Sequence, residues 1–84
     1  MSSVITQDEI KSWLVENVAK ETQSSPQDIK CDISVEKLGV DSVAVGELFT
    51  KLSDWLGKDI DPTISWDYPT IDKMAAHLAQ VVSG

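Results

Sequence analysis

The sequence predicts an all-α fold: a small four-helix bundle with three main helices, a short third helix and a long first loop. Three observations predict it. Apolar residues recur at helical spacing in three stretches, each opening on a capping residue. No alternating run long enough for a sheet strand occurs. A chain of 84 residues holds one core at most. Residues 1–84 are therefore expected to form a single domain, with helices over about 7–21, 42–56, 63–67 and 70–82.

Thr6 and Glu9 have the spacing of a capping box, the threonine side chain accepting from the Glu9 amide and the Glu9 side chain reaching back to the Thr6 amide. Ile10, Trp13, Leu14 and Val18 then recur on one face, with Trp13 expected as a core anchor rather than a ligand-stacking residue. From Thr22 to Asp41 the periodicity lapses. Gln23-Ser24-Ser25-Pro26 is turn chemistry, a short turn is expected between Pro26 and Ile29, and Ile29, Ile33, Val35 and Leu38 are spaced to pin a long ordered loop across the helices.

The second helix opens at Asp41 or Ser42, carries Val45, Leu48, Phe49, Leu52 and Leu56 on one stripe, and ends at Gly57. Inside it Gly46 costs about 1 kcal/mol relative to alanine. Either plain packing or a close approach by a backbone, a prosthetic group or a partner accounts for it. Pro62-Thr63 starts a short third helix that Ile64, Trp66 and Tyr68 are expected to hold by tertiary contacts, and Pro69 breaks it. Thr70 caps the last helix, Asp72 complements its dipole, and Ile71, Met74, Ala75, Leu78, Ala79 and Val82 form the clearest stripe in the chain. His77 falls off that stripe and is expected to face solvent.

Fourteen acidic residues against seven lysines give a net charge of −7. Such a surface disfavours nucleic acid and anionic membranes and favours weak, fast contacts with basic protein patches. No apolar run approaches the roughly 18 residues that span a bilayer, and the N-terminus lacks the pattern of a signal peptide. A cytoplasmic monomer is the expectation. The single cysteine, Cys31, has no partner for a disulfide or a metal cluster. No catalytic or metal-ligating residue is assigned: Ser42 lies outside any Gly-x-Ser-x-Gly motif, no strand leads into it, and the lone histidine supplies no paired base.

By itself, Asp41-Ser42 at a helix start is as consistent with a plain cap as with an exposed attachment point. The wider stretch says more. Leu38-Gly39-Val40-Asp41-Ser42-Val43, followed by Glu47-Leu48, resembles the Gly-x-Asp-Ser-Leu phosphopantetheine attachment site of acyl carrier proteins. Pro62-Thr63, Asp67-Tyr68-Pro69-Thr70-Ile71 and Met74-Ala75-x-His77-Leu78-Ala79 look like the third and fourth helices of carrier domains from modular polyketide synthases. Val43 stands where the family usually has leucine, and Ala44 where fatty-acid-synthase carriers are often acidic.

The resemblance implies a carrier, not an enzyme: a 4'-phosphopantetheine arm from coenzyme A is attached to Ser42 by a phosphopantetheinyl transferase. The arm thiol then carries an acyl group as a thioester. Partners would be an acyl-loading enzyme, either a fatty acyl-AMP ligase or an acyltransferase, and a ketosynthase or other synthase domains, in polyketide, lipid or lipopeptide biosynthesis. Asp54-Trp55-Leu56-Gly57, with Asp61-Pro62-Thr63 and Trp66 to Ile71, is similar to carriers paired with fatty acyl-AMP ligases. Recognition by partners is assigned to Asp41, Val43, Glu47 and Asp54. The alternatives are a peptidyl carrier domain of a non-ribosomal peptide synthetase, against which the Asp41-Ser42 pair argues, and a non-covalent helical adaptor in which Ser42 is only a cap.

Overall fold

The computed structural model describes residues 5–83. Five helices follow in order: α1 (Gln7–Thr22), α2 (Val35–Leu38), α3 (Ser42–Leu56), α4 (Ile64–Asp67) and α5 (Ile71–Ser83), with a 3₁₀ turn at Pro26–Asp28. Among the described residues there is no strand, only an isolated bridge between Ser34 and Thr70. The three long helices and α4 make the bundle that the periodicity predicts, and α2 is an addition to it.

α1 begins at Thr6, whose side chain accepts from the Glu9 amide at 3.2 Å. The Glu9 carboxylate is met by the Thr6 hydroxyl, at 3.3 Å, where the capping-box spacing predicts the amide. Its buried face, Ile10, Leu14, Val18 and Ala19, packs on α5, where Ile71, Met74, Ala75 and Leu78 are buried. Lys11 pairs with Asp72 at 2.9 Å across the start of that interface. The Thr70 hydroxyl caps α5 by accepting from the Lys73 amide at 3.2 Å. From α3, Leu48, Phe49 and Leu52 close the core. Each fully buried side chain of this size contributes about 1.5–3 kcal/mol over its exposed state.

The connection from α1 to α3 is ordered because it is tied to the end of α5. The Val35 amide donates to the Pro69 carbonyl at 2.9 Å and the Asp72 amide to the Cys31 carbonyl at 3.1 Å. Ser34 caps α2 by accepting from the Lys37 amide. Val35 and Val40 are buried, with Ile29 and Leu38 half-buried against the core. A single helical turn is too short to show a period in sequence, which is why α2 reads there as loop.

Three aromatic and imidazole side chains are more exposed or more covered than their spacing suggests. Trp13 is only half-buried; it packs on the core and stacks on Trp55, ring centroids 5.4 Å apart and planes 11° apart. His77 is half-buried rather than solvent-facing, because Tyr68 lies flat on its ring at 4.3 Å. Trp66, expected to anchor α4, is 80% exposed. In a helix of four residues Ile64, Ser65 and Tyr68 take the inward side, so Trp66 points outward. Hydrogen bonds do the remaining work. The Ser65 hydroxyl donates to the Pro62 carbonyl at 3.0 Å, and the Asp61 carboxylate accepts from the Thr63 amide and hydroxyl, both at 2.9 Å. Those two bonds, the amide's first, hold the Asp61 carboxyl below the usual carboxylate range.

Candidate functional site

Ser42 owes its position to the three residues before it. Gly39 ends α2 at φ 107°, a conformation that suits glycine alone. Val40 is then driven into the core at 1% exposure. Asp41, in extended conformation, caps α3, its carboxylate accepting from the Ala44 amide at 2.8 Å. A turn, a buried anchor and a cap in succession leave Ser42 and Val43 facing out, and both are exposed.

The Ser42 hydroxyl therefore stands on the first turn of a 15-residue helix. The amides of Ser42 and Val43 have no helical carbonyl one turn before them, and the positive end of the dipole favours an exposed phosphate by about 0.3–1 kcal/mol. Beside the hydroxyl lies a groove of about 450 Å³ between the α2–α3 turn and α4. Val40, Val45, Trp66 and Pro69 give it apolar walls, and Ser34 and Ser65 add hydroxyls. An esterified phosphate followed by a slender polar arm fits this arrangement: a reachable hydroxyl, free amides for the anion and a groove of mixed character.

Of the residues assigned to recognition, Asp41 and Val43 flank Ser42 directly, with Val43 71% exposed. Glu47 and Asp54 are also exposed and share one stripe of α3 with Val43 and Thr50, at i, i+4, i+7 and i+11. Asp54 lies about 18 Å along the axis from Ser42. The stripe is thus one continuous face, but only its first turn meets the groove. Apart from its chain neighbours and its own helix backbone, Gly46 has no atom of the described residues within 4 Å of where a Cβ would stand, so packing against the rest of the chain gives no reason for it and the space beside it is open.

Sequence reasoning expects Trp66 to be inward, whereas it is exposed and lines the groove beside Ser42. The signal of that exposure was its place between the inward Ile64 and Tyr68, but an aromatic in a short segment is first counted as core. Cys31 is half-exposed, and burial pushes its thiol up, with Lys11 opposing. At neutral pH it remains a protonated, weakly nucleophilic thiol. No group of three or more metal-ligating side chains occurs among the described residues, and no helix among them is long and apolar enough to cross a membrane.

This is the geometry of a carrier domain, and the chain belongs to the phosphopantetheine attachment site family, whose model matches residues 12–78. The family carries 4'-phosphopantetheine covalently on a serine. Over 77 residues the chain is 31% identical to a phenolphthiocerol/phthiocerol polyketide synthase of Mycobacterium tuberculosis, covering 92% of this chain and 4% of that protein. Among solved structures it is similar to a free-standing peptidyl carrier protein from Acinetobacter baumannii, with TM-score 0.87 and 28% identity over 92% of this chain and 96% of that one. It is also similar to the acyl carrier protein LipD from Actinoplanes friuliensis, with TM-score 0.74 and 33% identity over 98% of this chain and 94% of that one. The chain spans only a few hundredths of the length of the curated synthases it matches, and carrier domains in such synthases work with synthase and transferase partners.

Proposed function

We propose that this chain is an acyl carrier of the polyketide type that holds acyl groups as thioesters on a 4'-phosphopantetheine arm attached to Ser42. The observation that carries the proposal is the exposed Ser42 hydroxyl at the start of α3, inside the span matched by the family. A phosphopantetheinyl transferase adds the arm from coenzyme A. The acyl chemistry belongs to partner enzymes that meet Asp41, Val43, Glu47, Asp54 and Trp66. A single cysteine with no disulfide partner accords with work in the reducing cytoplasm.

The fold is common to acyl and peptidyl carriers. Similarity to polyketide synthases and the Asp41-Ser42 pair favour the acyl assignment. We further assign loading to a fatty acyl-AMP ligase in a lipid or lipopeptide pathway, on the strength of Asp54 to Gly57 and Trp66 to Ile71.

Incubation with coenzyme A, magnesium and a broad-specificity transferase, followed by intact-protein mass spectrometry, tests the attachment. The wild type is expected to gain one phosphopantetheine and Ser42→Ala none. No gain in the wild type, or a gain in the variant, overturns it. Loading is tested by giving the modified protein a fatty acid, ATP and candidate ligases: an acylated species is expected, and its absence with every ligase removes the finer assignment while leaving the carrier.

A further inference from the structure

The far end of α3 carries a second surface that the Ser42 site does not use. Trp13 and Trp55 stack there, and although the pair joins α1 to α3, Trp55 keeps 37% of its surface exposed. The two rings form one side of a shallow depression of about 370 Å³ whose other walls are Asp8, Glu9, Ser12 and Glu16. All three carboxylate residues are exposed or half-exposed. Two of the lysines are engaged elsewhere: Lys11 with Asp72 at 2.9 Å, and Lys58 with the Val81 carbonyl at 2.9 Å. Lys20 and Lys51 stand one turn from Glu16 and Trp55 on their own helices.

Aromatic faces bordered by carboxylates match one chemistry in particular. A guanidinium is planar, stacks on indole, and at the same time donates in pairs to carboxylates, which a lysine ammonium does less well. This chain contains no arginine, so a second copy cannot supply that group. Trp55 is thirteen residues from Ser42, about 20 Å along α3, so a partner seated at this end leaves the serine free.

We propose that the depression between Trp13, Trp55, Asp8, Glu9 and Glu16 docks a basic segment of another protein by taking an arginine side chain against the indole pair. The charge complementarity extends beyond the pocket, since the whole chain carries −7, which speeds the encounter with a basic partner. This surface does not depend on the attachment at Ser42.

The probe is an acetylated, amidated arginine-glycine pentapeptide, titrated into the full ¹⁵N-labelled chain while the indole N–H signals of Trp13, Trp55 and Trp66 are followed. Matched peptides with citrulline or lysine in place of arginine are run beside it. The arginine peptide is expected to shift Trp13 and Trp55 saturably and more than Trp66, with citrulline inactive and lysine weaker. The surface double variant Asp8→Asn/Glu16→Gln is expected to bind about fivefold more weakly while keeping its fold, and Trp55→Leu to lose the effect. Equal shifts at Trp66, an active citrulline peptide, or unchanged affinity in the double variant overturn the proposal. So do shifts at Trp13 and Trp55 that track protein concentration without peptide, which would make the occupant a second copy. Ser42→Ala is expected to bind the peptide as the wild type does, so failure of the attachment and failure of docking are read separately.

Discussion

The α1–α5 face and the Ser42 corner are built on different terms. Between α1 and α5 the apolar residues disappear from solvent: Ile10, Leu14, Val18, Ile71, Met74 and Leu78 are all 0% exposed. At the corner Val35 and Val40 are buried as anchors, but Val43 at 71% and Trp66 at 80% are left outside, and the local structure consists of two one-turn helices, α2 capped by Ser34 and α4 tied by backbone and side-chain hydrogen bonds. Burial holds the first region together, and the second adds turns, caps and hydrogen bonds to two buried valines. Stability and presentation therefore fall to different residues, and substitutions should separate them.

The largest expected effect is in the core. Phe49 is 1% exposed, and Phe49→Ala should cost about 3–5 kcal/mol through lost burial and an unfilled cavity, a large part of what a domain of this size possesses. Urea unfolding followed by circular dichroism measures it, and a loss below about 1 kcal/mol would mean that α3 is not seated as described. Next comes the corner's own hinge. Gly39→Ala forces a Cβ into φ 107°, with Thr22 Cγ2 no nearer than 3.5 Å to it. The cost is backbone strain and not collision, about 1–3 kcal/mol. It should also slow transfer of phosphopantetheine to Ser42, because the turn aims that hydroxyl. An unchanged stability with unchanged modification would show that the corner does not depend on this turn.

The same contrast explains what the sequence makes legible. Ile10, Leu14 and Val18, and Ile71, Met74, Ala75 and Leu78, repeat over two to three turns, so period alone identifies both the helices and their buried faces. Asp41 and Ser42 are legible through capping chemistry together with the family motif. α4, one turn long, is legible through the Pro62-Thr63 start and the Pro69 break rather than through a period, and α2, equally short, shows no period at all. The outward face of Trp66 and the Tyr68–His77 stack depend on tertiary partners: Ile64, Ser65 and Tyr68 claim the inner side of α4, and Tyr68 then reaches a histidine that lies off the α5 stripe. The Trp13–Trp55 stack joins residues 42 positions apart on two helices, which neither helix's pattern records. Val43, Glu47, Thr50 and Asp54 are legible as a stripe once α3 is recognised, but the groove that Val43 borders is formed by a different helix.

The smallest expected effect on stability is the most informative about presentation. Trp66 is one of the three large hydrophobic side chains left exposed among the described residues, it borders the groove beside Ser42, and it contributes little to holding α4. Trp66→Ala should therefore change unfolding free energy by no more than about 0.5 kcal/mol. If its exposure serves contact with partners, removing an aromatic anchor should lower kcat/KM for an acyl-loading enzyme by about tenfold, since such residues commonly carry 1–2 kcal/mol of a protein interface. The drop should appear in KM rather than kcat, because the indole touches the partner and not the thioester. Pairing the urea midpoint with initial rates of acyl transfer to the phosphopantetheinylated variant reads both quantities from one preparation. A stability loss above about 1 kcal/mol would make Trp66 part of the scaffold after all, and an unchanged KM would leave its exposure without a partner and shift recognition to the α3 stripe that begins at Val43.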